Sequence, residues 1–189
     1  MEGKNIESDY LSLIKYHQGW MSEALKLAQI AGDAGEVPVG CIIVNPQGDL
    51  IGQGENRKQR DQDPTAHAEI IAIRSAARTL QNWHLDQCTL YVTLEPCPMC
   101  AGAIIHARLQ TLVYAVDDPK TGAIRTVINI PSSPASNHRL RIIGGILESA
   151  SRQQLQSWFV YQRSQKRSQK TQKSGYGSNG NELWTEEIR

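Results

Sequence analysis

Aromatic side chains are scarce in this chain of 189 residues: they make up 6% of it, and only one is phenylalanine. A core must therefore be built from aliphatic residues and alanine. No apolar run approaches the roughly 18 residues of a membrane span. The first twenty residues, Met1 to Trp20, carry polar and charged groups throughout and lack the apolar stretch of about 7–15 residues that marks a signal peptide. The expected location is the cytoplasm, with no membrane association. No unit repeats over the length of the chain, which excludes solenoids. A large charge of one sign is also missing. The formal net charge is +1, although residues 1–162 hold 14 Lys and Arg against 16 Asp and Glu, and residues 163–189 hold 6 against 3. The bulk of the chain is thus not a basic nucleic-acid module. Cysteines number four, at 41, 88, 97 and 100. A chain this long buries about 70% of its unfolded surface and needs no disulfide staples. In a reducing compartment the close pair Cys97–Cys100 reads as metal-binding or redox-active, and Cys41 and Cys88 as buried apolar thiols.

What is present alternates between two periodicities. Trp20, Ala24, Leu27, Ala28 and Ala31 recur at helical spacing and predict a helix over 19–34, ended by Gly32 and Gly35. Val39–Asn45 and Leu50–Glu55 read as strands joined by the turn residues Pro46, Gln47, Gly48 and Asp49, hence as a hairpin. A helix is predicted over 67–80 with Thr65 as its N-cap, a strand over 88–94, and a helix over 98–108 opened by a proline. A further strand covers 111–116, a long functional loop 117–138, a short strand 140–143 and a last helix 148–165. The pattern predicts an α/β fold, a three-layer α/β/α sandwich with a mixed sheet of about five strands. Residues 1–16 are taken as an N-terminal extension and 17–165 as the domain. Residues 166–189, rich in Ser, Gln, Lys, Gly and Asn, are expected to form a disordered basic tail. Within 163–173, five Lys or Arg and no acid offer a surface for nucleic-acid phosphates.

Two short stretches carry chemistry: Thr65-Ala66-His67-Ala68-Glu69 and Glu95-Pro96-Cys97-Pro98-Met99-Cys100. Zinc prefers imidazole and thiolate ligands in a tetrahedron, and three protein ligands leave one position open for water, the catalytic arrangement. His67, Cys97 and Cys100 supply three. Glu69 is better suited to move protons beside the metal than to bind it. Cys-x-x-Cys alone also fits a redox pair or half of a structural zinc site. His-x-Glu followed by Pro-Cys-x-x-Cys is the signature of zinc deaminases that act on nucleobases.

With these motifs, and with EVPVG (36–40), DPTAHAEI (63–70), TLYVTLEPCPMCAGAIIHAR (89–108), DPKTGA (118–123) and NHR (137–139), the chain resembles the cytidine/deoxycytidylate deaminase superfamily. Within it the chain is most similar to the bacterial tRNA-specific adenosine deaminases, over roughly residues 17–163. The resemblance implies the cytidine-deaminase-like form of the sandwich, a homodimer, one Zn2+ per subunit, and hydrolysis of adenosine to inosine at the wobble position of a tRNA anticodon stem-loop. It implies His67, Cys97 and Cys100 as zinc ligands, Glu69 as the catalytic acid/base, Asn56 as a contact to the target base and Val37 as a pocket wall. A deaminase of a free nucleobase or nucleoside, such as guanine or cytosine, is the alternative. A non-catalytic subunit with structural zinc would lack Glu69.

Overall fold

A computed structural model describes the backbone of residues 6–175 and the side chains of residues 8–169. The elements are α1 (Ile6–Asp33), β1 (Gly40–Val44), β2 (Leu50–Glu55), α2 (Ala68–Leu80), β3 (Thr89–Leu94), α3 (Pro98–His106), β4 (Thr111–Val116), β5 (Arg141–Gly144) and α4 (Glu148–Gly175). The sheet order is β2-β1-β3-β4-β5. β1 is antiparallel to both β2 and β3, while β3–β4 and β4–β5 are parallel. The first hairpin forms because the Asn45 side-chain oxygen accepts from the amides of Gln47 and Asp49, while Gly48 takes a positive φ of 86°.

Strand alternation sorts the core into two layers. Cys41, Ile43, Leu90, Val92, Leu112 and Tyr114 face α2 and α3, where Ala68, Ala72, Ala76, Ala101 and Ile104 meet them. Ile42, Val44, Tyr91, Val113 and Ala115 face the other way, against Met21 and Ala24 of α1. α4 packs beside α1 on that second face and touches β4. The three expected layers and the mixed five-strand sheet are therefore present.

The structure corrects several boundaries. α1 begins at Ile6, not Gly19, so the expected border after residue 16 falls inside a helix. Its buried stripe is His17, Met21, Ala24, Ala28 and Ala31. A polar residue heads that stripe because the His17 ring bonds the buried Tyr91 hydroxyl at 2.9 Å. The N-cap of α2 is His67 rather than Thr65, whose amide and hydroxyl both turn back to Asp63 Oδ1 at 2.7 Å. α4 continues past 165, where a disordered tail was expected, to Gly175. No proline interrupts that stretch, and Lys, Arg and Gln are good helix formers without an apolar face. Residues 176–189 lie outside the described residues.

One approach sets the position of α2. A Cβ on Gly54 would sit 2.4 Å from the Ala68 carbonyl oxygen, and one on Gly52 2.5 Å from that of Ala72. Helix backbone thus lies directly on strand backbone, and the buried face of α2 there carries the small side chains of Ala68, Ala72 and Ala76. Glycine to alanine in a strand is ordinarily mild or favourable. Here Gly54→Ala forces α2 away from β2 and is expected to cost about 1–3 kcal/mol, as overpacking does. Urea unfolding checks this through a lower midpoint at unchanged slope.

Candidate active site

β2 and β3 run in the same direction and finish at the same end of the sheet, where α2 and α3 begin and their N-termini converge. Each helix opens on a residue whose side chain does not cap it. His67 is the N-cap of α2, with an extended backbone (φ −77°, ψ 152°) and no side-chain bond to the helix amides. Cys97 is the N-cap of α3 (φ −72°, ψ 172°), likewise without one. Pro98 at the first helical position has no N–H to satisfy, which reduces what the missing cap leaves open. The imidazole and the thiol are consequently free to face each other. Cys100 comes round one turn later on the buried side of α3.

His67 Nδ1 lies 3.7 Å from Cys97 Sγ and 3.5 Å from Cys100 Sγ. The three donor atoms all fall within 4.8 Å of one another and form a group able to hold a metal ion. A tetrahedral zinc with Zn–S near 2.3 Å and Zn–N near 2.0–2.1 Å sets N···S edges of roughly 3.6 Å. The two observed edges match that value, and one nitrogen with two sulfurs is a donor set that zinc accepts.

Charge at the centre is ordered by the same contacts. The Cys97 thiol is lowered to about 4, first by its hydrogen bond with Cys100 and then by His67. Cys100 moves the opposite way, through that bond and through burial. The bond to Cys97 raises His67. Glu69 is 4% exposed, and burial pushes its carboxyl up. A carboxyl raised toward neutrality beside a metal-type centre suits proton transfer.

A cavity of about 140 Å³ lies in front of these groups, lined among others by Val37, Asn56, His67, Glu69 and Cys97. All six residues singled out in the sequence are therefore brought to one place: five line the cavity and Cys100 completes the donor triangle. Asn56 is buried; its Nδ2 donates to the Val37 carbonyl at 3.3 Å, while its Oδ1 is buried without a partner. The cavity is well below the roughly 300–1,000 Å³ of a drug-sized ligand site, and suits one flat ring system. It shares Val37, Leu94, Asp118 and Thr121 with a groove of about 730 Å³ that runs past Lys120 to Phe159 and Arg163 of α4. A groove of equal volume between α1 and α4 contains none of the centre's residues.

Lys58, Asp118, Thr121 and Glu95 also line the cavity, and sequence reading gave none of them a role. Glu95 is 2% exposed. Burial would push its carboxyl up, but hydrogen bonds from the Thr126 hydroxyl and the amides of Arg125, Thr126 and Asp118 outweigh this and hold it below the usual range. The available signal was an acid that ends an apolar strand immediately before Pro-Cys.

Residues 15–154 match the MafB19-like deaminase family. The tRNA-specific adenosine deaminase of Haemophilus influenzae is 43% identical over 156 residues, 82% of this chain and 90% of that protein. That of Bacillus subtilis is 38% identical over 148 residues, covering 78% and 91%. A solved chain from studies of A-to-I editing by tRNA:A34 deaminases at the wobble position of transfer RNA superposes with a TM-score of 0.69 at 42% identity, covering 71% of this chain and 96% of that one. At these identities and over this span, the chain belongs to the MafB19-like deaminase family and stands among its tRNA-specific adenosine deaminases.

Proposed function

We propose that this enzyme hydrolyses adenosine to inosine at the wobble position of a tRNA anticodon, with one zinc ion per chain held by His67, Cys97 and Cys100. The observation that carries the reading is the junction of spaces. A cavity sized for one base, with the donor triangle and a buried carboxyl on its wall, opens into a long groove flanked by cations. A deaminase of free bases or nucleosides needs its cavity closed on the outer side. Here the rim carries Lys58, and the groove beyond carries Lys120 and Arg163. Such an opening suits a base splayed out of a loop with its backbone left outside.

Zinc, when bound, lowers the pKa of water toward about 7. The rest follows from this chain's own groups. Glu69 takes a proton from the attacking water and delivers it to N1 of adenine, which makes C6 electrophilic. The water oxygen bonds to C6. Glu69 then passes the second proton to the exocyclic amine, the C6–N bond breaks, and ammonia leaves. Asn56 lines the cavity and its Oδ1 has no partner within the protein; adenine's exocyclic amine is the N–H donor its edge presents. An unmet buried acceptor costs about 1–3 kcal/mol, which binding the right base recovers. Val37 supplies apolar wall. The same reading carries a homodimer and a cytoplasmic tRNA substrate. No helix among the described residues is long and apolar enough to cross a membrane.

The purified protein is expected to contain about one zinc per chain and to convert wobble adenosine in tRNA to inosine. Cys97→Ala should lose the metal, as read by elemental analysis, because metal affinity and ligand number are coupled. Glu69→Gln should keep it and lose kcat by roughly 10²–10⁴-fold, the range of a positioned acid/base. Zinc lost in proportion to activity in Glu69→Gln would make Glu69 a ligand.

Charge on the rim has its own test. Replacing Lys58 or Arg163 by Gln should weaken tRNA binding, and each change should flatten the log–log salt slope by about 0.7–0.9 if it removes one phosphate contact. Affinities measured across a salt series check this; unchanged slopes would place the RNA backbone elsewhere.

A further inference from the structure

Glu95 follows the last residue of β3 and stands two residues before Cys97. Its carboxylate is buried, yet among the described residues no Lys or Arg forms an ion pair with it. Five hydrogen bonds converge on it instead. Oε1 accepts from the amides of Ile124 at 3.1 Å, Arg125 at 2.8 Å and Thr126 at 3.0 Å. Oε2 accepts from the Asp118 amide at 3.0 Å and from the Thr126 hydroxyl. The next residue continues the pattern, since the Pro96 carbonyl accepts from the Ala123 amide at 2.9 Å. Gly122 lies so near that a Cβ there would sit 2.3 Å from Glu95 Oε2. Residues 118–126 thus wrap the carboxylate as a backbone nest wraps an anion.

Burying a carboxylate is expensive, and a loop can be tethered without one. What this arrangement adds is a connection. The wrapped loop carries Asp118 and Thr121 to the target cavity and Lys120 to the groove. The residue that holds the loop belongs to the same short extended segment as Cys97. We propose that Glu95 is a positioning residue that clamps the 118–126 loop to the Pro96–Cys97 segment, so that the outer wall of the target-base cavity is fixed relative to the metal centre. The substrate half of this inference rests on the deaminase reading above; the clamp itself does not.

The clamp makes a specific kinetic demand. The loop contributes neither a donor to the triangle nor Glu69, so loosening it removes contacts made equally in ground and transition states. That loss appears in KM rather than in kcat. In Glu95→Gln one acceptor oxygen survives, but an amide nitrogen faces the Asp118 N–H. Gly122→Ala attacks the same contact from the loop side with Glu95 intact. Thr126→Val removes only the hydroxyl bond.

The test uses the full-length zinc-loaded protein and three readouts. Hydrogen exchange at the amides of Asp118, Ile124, Arg125 and Thr126 should accelerate roughly tenfold or more in Glu95→Gln and Gly122→Ala, on the scale of one lost charge-assisted bond. Zinc content should stay at one per chain. With tRNA carrying wobble adenosine, KM should rise roughly tenfold while kcat stays within about threefold, and Thr126→Val should give a smaller rise in KM. A lower melting temperature with unchanged KM would reduce Glu95 to a purely structural group and overturn the proposal. Joint loss of zinc and kcat would show that it acts through Cys97, and would overturn it too. If Glu95→Gln does not fold, Gly122→Ala and Thr126→Val decide by the same readouts. If the wild-type protein leaves wobble adenosine unchanged, the deaminase reading fails, while unaltered exchange in the variants is what removes the clamp.

Discussion

Two backbones in direct contact determine where the chemistry can be. Gly52 and Gly54 let the backbone of α2 settle on β2, with Ala68, Ala72 and Ala76 on the buried face of the helix. That contact fixes the height and direction of α2, and with it the place of His67 at the helix start. Two strands away, beyond the end of β3, Pro96 and Cys97 lead into α3 at the same end of the sheet. Two N–S distances within about 0.1 Å of roughly 3.6 Å need both helix ends held that closely. Side chains larger than alanine along α2 would spread the layers and open the triangle. The small residues of this face are as necessary to the centre as the donors.

The centre also gives up stability that an ordinary helix start would keep. A capping side chain is worth about 1 kcal/mol, and His67 and Cys97 both decline that role. Their helix ends still favour negative charge on the thiolates. Glu69 and Glu95 are then both buried within a few residues of the donors, with opposite outcomes. Glu69 is mostly desolvated and its carboxyl is raised, which suits a group that must gain and lose a proton. Glu95 is met by four amides and a hydroxyl and is held as an anion, which suits a group that must stay put. Hydrogen bonding, rather than burial, separates the two carboxylates into a mobile charge and a fixed one.

Much of this is legible in the sequence, for identifiable reasons. The strands 111–116 and 89–94 are apolar enough to be covered on both faces, and they are. The hairpin announces itself through Asn45 and Gly48. His67, Glu69, Cys97 and Cys100 stand out because few combinations of residue types place a nitrogen, two sulfurs and a carboxylate at helix starts. What stays hidden depends on features that residue type and apolar spacing do not reveal. The buried stripe of α1 is masked by His17, whose partner Tyr91 lies 74 residues away. Thr65 looks like a cap until Asp63 takes its hydroxyl. Glu95 reads as an ordinary acid because its five donors lie 23–31 residues downstream, on a loop with no periodicity. The helical run beyond 165 escapes a reading based on apolar stripes, since it has none.

Chemistry and selection are carried by different parts of this fold. The donors and Glu69 sit on helix starts packed directly on the sheet, where a change of backbone disturbs the whole layer. The wall that a substrate meets comes from Val37, Asn56, the 118–126 loop and one face of α4, all outside the sheet. A loop can be remodelled at little cost to the core, provided its anchor survives. Glu95 is such an anchor: it binds backbone amides rather than particular side chains. Four of its five bonds are indifferent to which residues occupy 118–126, apart from Gly122, which must stay small. The same donor triangle can therefore serve different bases by changing side chains along a loop whose path is held from the donor side. In this chain that loop presents Lys120 to a groove lined also by Arg152 and Arg163, and the cavity behind it has room for one flat ring system.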